Sequence, residues 1–451
     1  MSLAQNVVDV RAEQIDKFNL KKIRGRTRKT PYVLLAKKKD ELEKNLEIVR
    51  DAQILNTESN GFLVPDRDVP SYNVQQAEII SCVDMASASK NFSLDLAFGP
   101  YRFDYSITGR ELIIGGKKGH IGVLDWMTKD LKLEKDLLES VNDVSFLHVS
   151  TIFAAAQKRW VHIYDEQGVE LHCMKTLNEP KLLEFLPRHL LLVTTTATNY
   201  LHYLDISTGN IVASYLMKEE GNPHSIKKNE ANGVLLTAGS SGNVCMWTPN
   251  EKKPIVKIKT NAGLNRGLAV DHTGNYFVTA GSNGAVKVFD IRNYKQLGVT
   301  YVSGQVNALD ISQRDCLAVA AGQKVLVFNE LFQSDNMKPY LKHYVAGDVR
   351  QVQFCDHEDI LGIGHARGFS SIIVPGSGDP HMAGYMHNPF ESKKQRRERE
   401  IRMLLEKLQP EMICLNPGTI NKVYEPPKKE EVEPVAKPEK PWSLFDRFQR
   451  K

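Results

Sequence analysis

Six cations crowd one short stretch near the C-terminal end: Lys393, Lys394, Arg396, Arg397, Arg399 and Arg402. A second set, Lys21, Lys22, Arg24, Arg26, Arg28 and Lys29, lies near the other end. Lysine and arginine at this density neutralise phosphates, and the cations thereby released from a nucleic acid favour binding, most strongly at low salt. Nothing in either set suggests reading of base edges. The plainer alternatives are a solvated, salt-bridged helix end or a nuclear import signal at the first set, and a disordered tail carrying such a signal at the second.

An element must hold each set. Around the first, Asn388 suits a helix N-cap, Pro389 the first helical position and Glu391 a capping-box carboxylate. Pro410 ends the pattern, because the residue before a proline is driven out of the α region. Within these limits Ile401, Leu404, Leu405 and Leu408 recur at helical spacing and form a stripe suited to docking on protein. From Glu391 to Glu400 there is no apolar residue, so that half must meet water or an anionic partner. Its cations wrap round the helix and offer phosphates more than one side.

The second set falls in a polar stretch, residues 1–30, read as an extended arm. A helix from Tyr32 to about Leu55 is expected next, with Leu35, Leu42, Leu46 and Val49 on one narrow stripe. Gly61, Pro65 and Pro70 mark a connector. Gln75–Ala88 reads equally as helix or strand.

The whole chain is no polycation. Its 451 residues carry a formal net charge of only +5, with 25% charged and 41% hydrophobic residues, as in ordinary globular proteins. The excess is local: residues 1–50 hold thirteen Lys or Arg against seven Asp or Glu. Two basic arms on a near-neutral body suggest a polyanion reached by the ends. The six cysteines are spread singly with no CxxC pair, which argues against zinc ribbons and suits a reducing compartment. There is no signal-peptide core and no long apolar run, so a soluble intracellular protein without membrane contact is expected.

The body is periodic. Short β-runs end at Asp125, Asp165, Asp205, Thr248, Asp290 and Asn329, spaced 40, 40, 43, 42 and 39 residues apart. That is the length of one four-stranded propeller blade. One repeat shows the layout: a strand at Leu268–Val270, a turn, a strand at Tyr276–Gly281, a tight turn at Ser282–Gly284, and a strand at Ala285–Asp290. A further repeat, Val349–Val374, ends without Asp, which brings the count to seven. Ahead of the first repeat, Phe92, Leu94, Leu96 and Phe98 alternate as a lone strand, expected to close the ring by pairing into the last blade.

This pattern resembles the WD-repeat family. Only Trp247 occupies the aromatic column as Trp, Asp125-Trp126 is inverted, and Gly119-His120 stands beside a third strand. The family's Asp-His-Ser-Trp hydrogen-bond tetrad therefore does not carry over to most blades. After the last repeat come Pro375-Gly376-Ser377-Gly378-Asp379-Pro380, then Asn388-Pro389-Phe390-Glu391, then the charged helix and its LLEKLQPEMI end. With Phe98–Tyr101 and Gly116–Trp126, this order is similar to the nucleolar WD-repeat subunit of the small-subunit processome, associated with U3 small nucleolar RNA. The resemblance covers about residues 70–420.

The resemblance implies a non-catalytic scaffold in 18S ribosomal RNA maturation, located in the nucleus and nucleolus. Its partners would be other processome proteins and the pre-ribosomal RNA and U3 particle, with no cofactor, metal or small-molecule substrate. The rival reading is a WD-repeat adaptor without RNA contact. The expected organisation is a basic, partly helical extension over 1–70, an all-β, seven-bladed WD-repeat-like propeller over 71–378, a C-terminal domain with the charged helix over 379–425, and a Pro- and charge-rich tail over 426–451. In the tail, Trp442, Leu444, Phe445 and Phe448 read as a short peptide for a partner's groove. No phosphate-binding loop, HExxH or GxSxG is present, and the histidines show no metal-ligand spacing. The recurring aspartates are read as strand-end groups rather than acids or bases, so no enzyme is expected.

Overall fold

The computed structural model describes residues 44–45, 61–65, 70–329, 338–379, 388 and 391–415. Lys21–Lys29, nearly all of the helix expected at Tyr32–Leu55, and the aromatic tail lie outside these residues; Lys44 and Asn45 are helical. Gln75–Ala88 resolves into two short helices, α1 (Gln76–Cys82) and α2 (Met85–Ala88).

Among the described residues, twenty-eight strands then make seven four-stranded antiparallel sheets. A lone strand, β1 (Phe92–Asp95), precedes blade 1, which is β2 (Tyr101–Tyr105), β3 (Glu111–Gly116), β4 (His120–Asp125) and β5 (Asp130–Asp136). Blade 2 is β6 (Val141–Phe146), β7 (Ile152–Gln157), β8 (Val161–Asp165) and β9 (Glu170–Met174). Blade 3 is β10 (Pro180–Leu186), β11 (Leu191–Thr196), β12 (Tyr200–Asp205) and β13 (Ile211–Leu216). Blade 4 is β14 (Pro223–Lys228), β15 (Leu235–Gly239), β16 (Asn243–Trp247) and β17 (Val256–Lys259). Blade 5 is β18 (Asn265–Val270), β19 (Tyr276–Gly281), β20 (Ala285–Asp290) and β21 (Lys295–Tyr301). Blade 6 is β22 (Val306–Ile311), β23 (Leu317–Ala321), β24 (Lys324–Phe328) and β25 (Pro339–Tyr344). Blade 7 is β26 (Val349–Phe354), β27 (Ile360–His365) and β28 (Gly368–Ile373), completed by β1.

Middle strands have neighbouring blades on both faces, so they are apolar throughout: Leu112, Ile113 and Ile114 of β3 are all buried. Outer strands meet water on one face and alternate, as in β5. The innermost strands surround an axial cavity of about 1180 Å³. Polar side chains there tie blade to blade. The Asp104 carboxylate accepts from the Phe146 amide (2.9 Å), that of Asp143 from Leu183 (2.9 Å), and that of Asp310 from Phe354 (2.8 Å). Lys227 of blade 4 reaches Asp310 of blade 6 at 3.1 Å.

The ring closes as expected. β1 runs antiparallel to β28, with Phe92 opposite Ser371 and Leu94 opposite Phe369. At Gly368, with φ +146°, a Cβ would collide with the Leu94 carbonyl oxygen, so glycine is required for the strands to meet. The Phe369 ring lies 4.9 Å from that of Phe103 and 5.7 Å from that of Phe92, joining the last blade, the first blade and the closing strand. Gln76 of α1 extends the join: its amide donates to the Ile373 carbonyl at 3.0 Å and its oxygen accepts from the Ile373 amide at 3.1 Å.

Phe369→Ala empties the centre of this joint. A fully buried Phe truncation costs about 3–5 kcal/mol, so a clear fall in melting temperature is expected, against almost none for Leu131→Ala on an outer strand. Equal melting of the two variants would show that closure does not govern the stability of the ring.

Candidate nucleic-acid interface

Antiparallel strands alternate in direction, so the turns after first and third strands share one face of the wheel. Residues 391–415 cross that face. The charged helix, α3, spans Lys393–Leu405. Its N-cap is Ser392, four residues later than expected: the Gln395 amide donates to Ser392 Oγ at 3.3 Å, and the Ser392 amide donates to Gln395 Oε1 at 2.9 Å. Ser392 and Gln395 thus form the reciprocal pair assigned from sequence to Asn388 and Glu391. The helix ends before Pro410, which instead opens a 3-10 turn over Pro410–Met412.

The apolar stripe is not the side that meets the propeller. Ile401, Leu404, Leu405 and Leu408 are 59%, 50%, 81% and 41% exposed. The row turned to the propeller is Arg396, Arg399, Glu400, Met403 and Lys407, which has the same helical spacing but is nearly all charged. The blade ends explain the choice, because they offer carboxylates and polar turns. Arg396 Nη1 lies 4.0 Å from Glu111 Oε1 in blade 1. Arg399 pairs with Glu391 at 3.3 Å and sits beside the turns at Ser106–Thr108 and Leu147–Ser150. Met403 packs on the cluster containing Leu147, Leu183 and Leu190. Lys407 Nζ lies 2.5 Å from Asp205 Oδ2 and 2.7 Å from Ser207 Oγ in blade 3.

The following segment holds on as firmly. The Leu408 amide donates to the Arg188 carbonyl at 3.0 Å, and His189 Nδ1 meets the Leu408 carbonyl at 3.2 Å. In blade 4, Asn250 donates to the Glu411 carbonyl at 2.9 Å and Ile413 is buried among Leu186, Leu191 and Leu235. The segment is a strap across blades 1 to 4, and Met403, Glu406, Leu408 and Met412 edge one mouth of the axial cavity.

This docking divides the six sequence-chosen cations. Lys393, Lys394, Arg397 and Arg402 are exposed and have no carboxylate partner among the described residues. Arg396 and Arg399 are partly buried and engaged with the chain itself. The cations therefore do not serve all sides of the helix; one side is closed. Sequence reasoning missed the docked row because it sought apolar periodicity, although Arg396, Arg399, Met403 and Lys407 show the spacing.

Charge inside the cavity is used internally. Burial pushes the Glu184 carboxyl up to about 7, against the pull of Lys228 and Lys227, and Lys228 lies 3.7 Å from it. His162, Glu170 and Cys173 cluster on blade 2. Their ligand atoms lie within 4.8 Å of one another, with Glu170 3.4 Å from Nδ1 of His162 and Cys173 Sγ 3.8 Å from its Nε2.

With fold and strap in view, the likenesses to known proteins fall into place. The BING4CT (NUC141) domain matches residues 339–416, from β25 through blade 7 to the end of the strap. WD repeat-containing protein 46 of Caenorhabditis elegans is 42% identical over 420 residues, 92% of this chain and 71% of the relative. The chain belongs to the WD repeat-containing protein 46 family. The human protein of that name is 41% identical over 403 residues, 87% of this chain, which spans 66% of the relative's length. U3 small nucleolar RNA-associated protein 7 of Saccharomyces cerevisiae is 36% identical over 408 residues, 86% of this chain and 74% of the relative. A chain in the crystal structure of a mitotic checkpoint complex, 14% identical, superposes with a TM-score of 0.56 over 69% of this chain and 99% of its own, which shows the propeller fold alone.

Lys407 anchors the strap of this family member, and a test follows. Burial would raise the Asp205 carboxyl, but hydrogen bonds from Lys407 and Ser207 hold it below the usual range. A depressed carboxylate stabilises the fold above its unfolded pKa, near 4, and that contribution is lost as pH falls through the folded value. Lys407→Ala should cost about 2 kcal/mol at neutral pH and speed tryptic cleavage after Arg397 and Arg402. The gap in melting temperature from wild type should shrink below about pH 4. A gap that does not change with pH would exclude this pair as the anchor.

Proposed function

We propose that the chain is a non-catalytic scaffold subunit of the nucleolar small-subunit processome, needed for processing of pre-ribosomal RNA to 18S RNA. The observation that carries this is the divided helix. A strap pinned to the propeller holds Lys393, Lys394, Arg397 and Arg402 outward, in a chain 36% identical to a protein named for its association with U3 small nucleolar RNA. Four outward cations on a rigid mount suit the sequence-independent phosphate contact of a structural subunit. The buried charges of the cavity are bonded from blade to blade, which supports a structural rather than a catalytic role for them. A nucleolar location and processome partners belong to the same reading. So does the N-terminal set Lys21, Lys22, Arg24, Arg26, Arg28 and Lys29 as a second RNA contact.

Protein contact shares the helix. The exposed stripe Ile401, Leu404, Leu405 and Leu408 lies beside the cations, and solvent is a poor surrounding for four large apolar side chains on one face. A partner helix with apolar anchors and acidic flanks suits it.

Three measurements test the proposal. Depletion of the protein should stop 18S precursor cleavage, and normal 18S output would refute the assignment. Glu at Lys393, Lys394, Arg397 and Arg402 together should remove RNA crosslinks and lower the salt dependence of RNA binding by roughly 0.7–0.9 log units per lost phosphate contact. Gln at Arg396 should leave that dependence unchanged. Asp at Leu404 and Leu405 should reduce recovery with neighbouring subunits without lowering the melting temperature, because both side chains are exposed. Unchanged RNA binding in the fourfold variant would return the helix to a solvated charge run.

A further inference from the structure

Each blade presents one outer strand whose far edge is a row of free backbone groups. Such edges invite pairing with another chain, and charged side chains are the common protection. Six of the seven outer strands here carry a formal charge. β5 has Lys132, β9 has Glu170, β17 has Lys257, β21 has Lys295, β25 has Lys342 and β1 has Asp95. β13, Ile211–Leu216, has none, and among the described residues nothing pairs with its outer edge.

Its geometry is that of an open acceptor. The Met217 amide donates to the Asn199 carbonyl at 2.8 Å, and Leu201 stands opposite Tyr215. Hydrogen-bonded and non-bonded pairs alternate along an antiparallel ladder, so Ser214, opposite His202, directs its backbone N–H and C=O outward and Leu216, opposite Tyr200, its N–H, while the Leu216 carbonyl accepts from the Lys218 amide at 3.1 Å. Val212, Leu216 and Tyr200 are 43%, 39% and 40% exposed, and the Tyr200 ring stacks on His202 at 5.9 Å. An apolar strip therefore runs beside the open edge. Just past the strand, Lys218 is exposed with no carboxylate partner among the described residues. At its other end β13 follows the turn of Asp205 and Ser207, which holds Lys407 of the strap.

We propose that β13 of blade 3 is a strand-addition site that takes an extended segment of a partner polypeptide as a fifth strand. Backbone hydrogen bonds at the Ser214 N–H and C=O and at the Leu216 N–H supply affinity. Apolar side chains at alternate positions rest on Val212, Leu216 and Tyr200, and a carboxylate at the segment's end meets Lys218. The site is continuous with the strap, so one partner can run from α3 onto the blade edge.

Hydrogen exchange of residues 211–217 tests this, comparing the purified full chain with the same chain in its native particle. The outward amides should exchange quickly in the free chain and at least tenfold more slowly in the particle. Equal exchange in both overturns the proposal. Ser214→Pro removes an outward N–H while sparing the ladder to β12, and it should lower incorporation into the particle severalfold. The double variant Val212→Lys, Leu216→Lys should do the same, and its melting temperature should match wild type because both positions are exposed. Loss in the lysine variant together with full incorporation of a folded Ser214→Pro chain would mean side-chain docking without strand addition, and overturns the proposal. Protection that appears in the free chain on concentration, with crosslinks between β13 strands of two copies, would mean self-pairing and likewise overturns it. RNA binding of the lysine variant should equal wild type, so failure here is separable from failure of the RNA reading.

Discussion

Closure of the ring is the constraint on which the remaining features depend. A single blade cannot cover its own middle strands: β3, β11 and β27 are buried along their whole length only because a neighbour lies on each face. The covering has to run round a circle, so the last blade must find the first. β1 achieves this by pairing with β28, while Phe369 packs between Phe92 and Phe103. The polar belt of Asp104, Asp143 and Asp310 then fixes blade spacing from within. Only a closed wheel holds Glu111, Asp205 and Asn250 at the separations one strap can bridge.

The strap shows how context overrides a helix's own hydrophobic preference. An isolated α3 would bury its leucine stripe. On the propeller, buried Asp205 needs a cation and Lys407 meets that need, while Arg396 joins Lys132 at buried Glu111. Leaving a buried carboxylate unpaired costs more than leaving a leucine half exposed. The result is an inversion: the polar face fastens the helix, while apolar side chains and the remaining cations are left exposed.

Much of this was legible beforehand. The beat from Asp125 to Asn329 gave the blades, and the alternation at Phe92–Phe98 gave the closing strand, because period-2 burial and turn chemistry are local properties. α3 was legible as a helix with an apolar stripe, but its cap was misplaced by four residues. Asn388-Pro389 and Ser392–Gln395 are both sound starts in isolation, and the second was taken where the chain reaches blade 1. The edge at β13 was hidden, since an absence of charge acquires meaning only once the other outer strands are identified.

Repeat length and turn glycines determined fold class, and the composition of the basic ends prompted the proposal of a polyanion partner, since each rests on contacts between near neighbours or on charge alone. Which cations remain available, which face of α3 is fastened and which strand edge stays open were decided by tertiary structure. Those outcomes depend on pairings across some two hundred residues, such as Lys407 with Asp205, and long-range partners leave no periodic trace in the chain.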